Sequence, residues 1–278
     1  MPARPAYFAV AITFLRNSLV RDMTFRANFL LDTISSIAWV LVNLGFYILV
    51  FEYTPSIGAG TGWGKLEFFL FLGTTLLLNS VMRGLFLTNG VELSEHIRTG
   101  TLDFALLKPI DTQFLVSLGR IEWAALGPLV CGVGLIVYAL SQLGYMPGPL
   151  VVVLYLFYLA CGCAIYYSLM IAFSATSIWF GRNRSLLDFW FYITNFSRYP
   201  MEIYRGTLGD AIRYTFTFAV PVLIAVNVPA RMLVRPLEVS TAEGWLLPLY
   251  AVFATGASLF VSRWIFQRAL LSYRSASS

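Results

Sequence analysis

The sequence predicts an all-α integral membrane protein with six transmembrane helices. Residues 34–51, 66–87, 123–141, 150–176 and 245–262 are apolar runs, each close to the roughly 17–25 residues a helix needs to cross a bilayer. Only Arg83 and Glu67 carry charge inside them, both near ends. The chain is 58% hydrophobic and 12% charged, about half the charge of an ordinary soluble domain. Charge has been moved into the connecting segments instead of alternating with apolar residues at helix or strand spacing.

The elements follow in order. Residues 1–33 carry Arg4, Arg16, Arg21 and Arg26 and lack a short apolar core ending at a small-residue cleavage site, so no cleavable signal peptide is read. Tyr7, Phe8, Ala11, Phe14, Leu15, Leu19 and Met23 recur at helical spacing, with the arginines largely elsewhere on the wheel. This predicts an amphipathic helix lying in the cytoplasmic interface; a soluble helix packed on a partner is the alternative. After the first span, Gly58 to Lys65 resembles a nucleotide loop only superficially. Ala59 stands where a Gly is required, and Leu66 follows Lys65 where Ser or Thr would reach a magnesium ion. It reads as a flexible outer turn.

Most of the 19 basic residues flank one set of span ends: the N-terminal arginines, then Arg98, Lys108 and Arg120, then Arg182 and Arg184, then Arg263, Arg268 and Arg274. That side is expected to be cytoplasmic, with both termini inside. The net charge of +5 is read through this rule and not as a nucleic-acid footprint. Residues 185–244 hold two apolar stretches, Leu186–Phe196 and Tyr214–Val228, that compete for one crossing. One arrangement has a fifth span at about 180–198 and a re-entrant hairpin over 208–236 on the outer side, shielded by protein. The other makes 185–206 an interfacial helix and 211–228 the crossing, and charge alone prefers it.

Catalytic chemistry is poorly supplied. His96 is the single histidine, which excludes a two-histidine helical metal site and makes a histidine triad implausible. Cys131, Cys161 and Cys163 all lie in apolar spans, without metal or redox spacing. No cofactor or metal is expected on this chain. The segment 88–112 is different. Glu92, Glu95, His96 and Arg98 are expected to face out from a short helix whose apolar residues are Val91, Leu93 and Ile97. Gly100 can end that helix in the left-handed conformation. Thr101 and Asp103 can cap a second, and Pro109 can stop it. The result is a charged helix shaped to dock on something, with a plain solvated loop as the alternative. Within the spans, Asn43, Thr74, Thr75, Asn79 and Ser80 are candidates for a polar pathway; bonding between helices is the alternative for each.

Gly100-Thr-Leu-Asp-Phe-Ala-Leu-Leu-Lys-Pro109, preceded by Ile97-Arg98, resembles the loop after the second span of type-2 ATP-binding-cassette (ABC-2) exporter permeases. It is similar above all to a bacterial branch of small six-span members of unknown substrate. Tyr199-Pro200, Pro221 and Pro229 to Leu233 look like the same branch's region before its last span. The resemblance covers the whole chain as a single permease domain, 1–278. It implies a multi-pass protein of the bacterial inner membrane that works as a dimer, with a second copy or a sister permease. ATP and magnesium would be held by separate ATPase subunits. Glu92, Glu95, His96, Arg98, Thr99, Gly100 and Asp103 would form the coupling helix, with a smaller contact at Arg182 and Arg184. Residues 1–33 would be the connecting helix, and the resemblance favours the fifth span at 180–198. The rival function is an ATPase-independent channel or lipid scramblase. Drugs, lipids and glycan precursors all stay open as substrates.

Overall fold

In the computed structural model, residues 6–58, 60–180, 184–234 and 242–273 are described, and among them every regular element is helical. Helix α1 (Tyr7–Thr24) ends at Phe25, whose backbone leaves the helical region, and α2 (Arg26–Tyr53) begins directly after it. The amphipathic segment is thus shorter than 1–33. Phe29, Leu30 and Leu31 continue the apolar run of the first span and are absorbed by it. Ser18 is buried against the backbone, accepting from Ile121 N at 3.0 Å, while Phe8, Ile12, Leu15, Leu19 and Met23 stay exposed as one stripe along α1.

Helix α3 (Lys65–Met82) does not stop where the second apolar run stops. It passes through a π-helical turn at Arg83–Leu87 into α4 (Thr88–Arg98), so span and charged segment form one 33-residue rod, Lys65–Ile97. Asn89-Gly90 does not break it: Gly90 stays helical against α8, where a Cβ would stand 2.9 Å from Met170 Sδ. Two short helices follow, α5 (Leu102–Leu106) and α6 (Thr112–Leu118), then α7 (Leu126–Gln142) and α8 (Pro149–Ala175). After α9 (Ser177–Phe180) come α10 (Arg184–Asn195), α11 (Gly206–Tyr214, prolonged by a π-turn to Ala219), α12 (Val222–Val234) and α13 (Ala242–Ser272).

Among the described residues, five helical segments are long and apolar enough to cross a membrane: Arg26–Tyr53, Lys65–Ile97, Trp123–Gln142, Pro149–Phe180 and Gly244–Ser272. The pair Gly206–Ala219 and Val222–Val234, bent by 88° at Val220-Pro221, makes a sixth if it counts as one span. At 12 residues, α10 is too short to span alone.

Helix α3 packs on α7, α8 packs on α13, and α12 lies between α3 and α8. Small residues allow the approach. A Cβ on Gly73 would stand 2.9 Å from Gly132 O, and one on Gly162 would stand 2.2 Å from Ala225 O. From Val222 to Ala230 α12 is buried without interruption. Its one polar residue there, Asn227, accepts from Met201 N at 2.9 Å and donates to Leu223 O at 2.8 Å, which meets the requirement of a buried amide.

The two ends of the bundle differ. At one end α4, α5, α6 and α9 gather around the end of α13: Ser94 bonds Ser177 at 2.8 Å, and Trp179 Nε1 donates to Ser272 at 2.5 Å. At the other, Arg205 donates to Gly60 O at 3.3 Å, and Arg231 is paired with Glu202. The stretch Ser177–Arg205 therefore starts at the α4 end and finishes at the Gly60 end. The arms of the bent pair α11–α12 begin at Gly206, beside Arg205, and close on Glu202 through Arg231.

Candidate functional site

At the α4 end, the segment 88–122 is tied to the spans by polar contacts. Asn89 brackets the chain at Arg120, donating to its carbonyl at 2.6 Å and accepting from its N–H at 2.8 Å. Arg120 in turn donates to Glu92 at 2.5 Å. Arg83 bonds Ser36 of α2 at 3.0 Å and pairs with Glu122 at 3.4 Å, and Thr88 also donates to Glu122. Asp111 caps α6, accepting from Phe114 N at 3.0 Å, and pairs with Arg263 of α13. Gln113 and Ser117 bond the Tyr167 hydroxyl of α8 at 3.0 and 2.8 Å. Burial pushes the Asp111 carboxyl up, but Arg263 and the Phe114 N–H outweigh it and hold it below its ordinary value. At the end of α13, burial and the neighbouring Asp103 carboxylate push the Tyr273 phenol up.

The outward face of this segment is small. Leu93 and Leu102 are fully buried anchors, and Glu95, His96 and Thr99 are exposed between them. Gly100 ends α4 at φ +70°, as the sequence predicts. Thr101 does not cap α5 with its side chain. Its hydroxyl instead bonds His96 Nδ1 at 2.8 Å and the Thr99 hydroxyl at 2.9 Å, which fixes the α4–α5 corner. Glu92, expected to face out, turns sideways onto Arg120 because that guanidinium is within reach.

A cavity of about 470 Å³ opens between α2, α3 and α10. On α2 its wall is a single helical stripe, Asp32, Ser36, Trp39, Asn43 and Tyr47. On α3 it includes Thr75, Asn79, Ser80 and Arg83, and on the α10 side Phe191, Asn195 and Arg198. Ser80 is buried, and its hydroxyl has no hydrogen-bond partner among the described residues. Asn43 also borders an apolar groove of about 440 Å³ between α2, α3 and α7.

A family model described as ABC-2 family transporter protein matches residues 37–277. The chain belongs to the ABC-2 transporter family. No curated protein and no solved structure matches it. The family match and the five to six apolar helices make it a multi-pass membrane protein and a permease component of an ABC transporter. ABC-2 permeases are generally non-catalytic subunits that typically partner with an ABC ATPase.

Within this ABC-2 permease the sequence-predicted residues divide. Glu92, Glu95, His96, Thr99, Gly100 and Asp103 fall together at the α4–α5 corner, and Arg98 ends α4. Arg184 opens α10, while Arg182 lies outside the described residues. Asn43, Thr75 and Asn79 line the cavity. Thr74 does not: it is fully buried, bonding Leu70 O at 2.9 Å and the Tyr155 hydroxyl of α8 at 3.3 Å. Its neighbour Thr75 takes the cavity wall because α3 turns by about 100° per residue. Sequence reasoning missed Asp32, Trp39, Phe191 and Arg198 as cavity residues. The signal was present on α2, where the polar residues Asp32, Ser36 and Asn43 recur at spacings of four and seven.

Proposed function

We propose that this chain is the membrane subunit of an ATP-driven exporter, coupled to a separate ATPase through the α4–α5 corner. The ABC-2 match carries the reading, and the bracing of the segment supports its mechanism. An exposed corner tied to α2 by Arg83–Ser36, to α8 by Tyr167 and to α13 by Asp111–Arg263 moves those helices when it is pushed. ATP binding and hydrolysis, with magnesium, take place on the partner subunits. Their closure biases the permease between two arrangements, and cargo does the same from the cavity side. In this reading the α4 end faces the cytoplasm, Ser177–Arg205 forms the fifth crossing, and α11–α12 is a hairpin that enters and leaves by the outer face. Helix α1 rests its exposed apolar stripe in the inner interface of a bacterial cytoplasmic membrane. Two permeases, identical or sister chains, make the working unit, and cargo passes along the cavity lined by Asn43, Thr75 and Asn79.

The test is purification of the tagged chain in mild detergent from its native membrane, followed by ATPase assay of what comes with it. An ABC ATPase is expected in the sample. The double substitution Glu95→Ala, His96→Ala should leave the permease inserted, with only a small loss of Tm from the His96–Thr101 bond, yet lower permease-dependent ATP hydrolysis by about tenfold or more, the loss of roughly one charge-assisted contact. Full coupling in that variant would remove the corner from the mechanism. A sample without any ATPase, even after cross-linking, would favour the channel or scramblase reading.

A further inference from the structure

We propose that the cavity between α2, α3 and α10 takes an amphipathic organic anion, its acidic head on Arg198 and its apolar or aromatic body against Trp39 and Phe191. That this ligand is the transported cargo rests on the exporter reading above; that the site binds it does not.

Several arginines of the bundle are neutralised. Arg83 has Glu122, Arg231 has Glu202 and Arg263 has Asp111. Arg198 lines the cavity, is exposed to it, and has neither a carboxylate nor a hydrogen-bond partner among the described residues. Its neighbour Ser197 is bonded to Tyr166 of α8, and Arg198 shares the cavity wall with Tyr47 of α2. A cation on the wall of a cavity between apolar helices is costly unless something balances it, and such residues mark ligand pathways. The carboxylate on the cavity wall, Asp32, is no balance. It stands 15 residues before Tyr47 on the same helix, about 22 Å away along the axis at ~1.5 Å per residue, far beyond ion-pair reach.

The rest of the wall fits the body of such a ligand. Trp39 is 63% and Phe191 48% exposed, flat apolar surfaces between the two charged ends. Asn79 and Asn195 add uncharged hydrogen-bonding groups. At about 470 Å³ the space is in the range of small-molecule sites, roughly 300–1,000 Å³. A cation would be repelled at Arg198, and a neutral molecule would leave it unbalanced. A bilayer lipid with an anionic headgroup and a soluble organic anion share the required chemistry.

The test uses the full chain in phosphatidylcholine nanodiscs, with empty nanodiscs as blank. Two dyes with the same rings are titrated by fluorescence: 1-anilinonaphthalene-8-sulfonate, and the neutral N-phenyl-1-naphthylamine. The sulfonate should bind more tightly. Arg198→Gln should weaken it by about tenfold or more, the effect of losing a charge-assisted contact, and leave the neutral dye unchanged. Arg198→Lys should restore most of the difference, and Arg213→Gln, on α11 away from the cavity, should change nothing. Short-chain phosphatidylglycerol that displaces the sulfonate where phosphatidylcholine does not would identify a lipid source; resistance to both, with sulfonate selectivity intact, would identify a soluble anion. Equal binding of the two dyes, or an Arg198→Gln variant that keeps its selectivity, overturns the site. So does a variant whose only change is oligomer size, since Arg198 would then serve a contact between permeases. Anion selectivity without any co-purified ATPase would sustain the site and sink the exporter reading. Coupled ATPase with no dye selectivity would do the reverse.

Discussion

Single side chains at the α4 end hold more than one element each, and Asp111 shows how. Its carboxylate caps α6 through Phe114 N and pairs with Arg263 of α13. Asp111→Asn keeps a good capping group and loses the pair; Asp111→Ala loses both. Thermal unfolding in detergent should place Asn between wild type and Ala, with the cap itself contributing about 1 kcal/mol. The pH dependence has a definite sign. The folded carboxyl titrates below its ordinary value, so its contribution is complete above about pH 4, near the unfolded value, and is lost as pH falls through the folded value. The Tm gap between wild type and Asp111→Asn should thus be flat from neutral to mildly acidic pH and shrink only below about pH 4. A gap that closes already near pH 6 would mean a histidine, not Asp111, carries the effect.

Helix contacts in this bundle are set by where backbone meets backbone. Gly162 of α8 lies so close to α12 that an added Cβ would stand 2.2 Å from Ala225 O. Gly162→Ala must push α12 away, at about 1–3 kcal/mol for overpacking, and should lower Tm accordingly. Gly134→Ala and Gly256→Ala, with no heavy atom within 4 Å of the added Cβ, should leave it unchanged or raise it slightly, since Ala favours a helix interior over Gly. Equal Tm values for all three variants would contradict the seating of α12 against α8. The sequence pattern reveals the five long helices well because length and lack of charge are enough for a span. It fails at their ends. α4 continues α3 straight through an Asn-Gly pair because Gly90 is packed against α8, and α2 absorbs residues 26–33 because only one backbone position, Phe25, separates it from α1. It leaves α11–α12 ambiguous for another reason. A 13-residue helix buried on all sides is apolar all round, so its pattern has no face to read, and Pro221 marks a bend without stating which way the chain turns.

For the whole molecule, the charged corner was legible and the cavity only in part, through Asn43, Thr75 and Asn79. The corner is local: eleven consecutive residues of α4 display their charge and their terminating Gly100 in the sequence itself. The cavity joins Asp32, Asn79 and Arg198, three distant positions whose proximity depends on packing, and adjacent Thr74 and Thr75 differ only in which way α3 is rotated. Sidedness is the remaining question at this scale, and it is testable with three positions. Thr54 and Thr99 are exposed at opposite ends of the bundle, and Leu208 is 81% exposed on α11. On a background with Cys131, Cys161 and Cys163 replaced by Ala, each is changed to Cys in turn and treated with a membrane-impermeant maleimide in right-side-out vesicles. Thr54→Cys and Leu208→Cys should react directly, and Thr99→Cys only after permeabilisation. Labelling of Leu208→Cys only after permeabilisation would make α11–α12 the crossing and 185–206 an interfacial segment, as charge alone prefers. Direct labelling of Thr99→Cys would place the α4–α5 corner on the side without ATP, and no ATPase could then drive this chain through it.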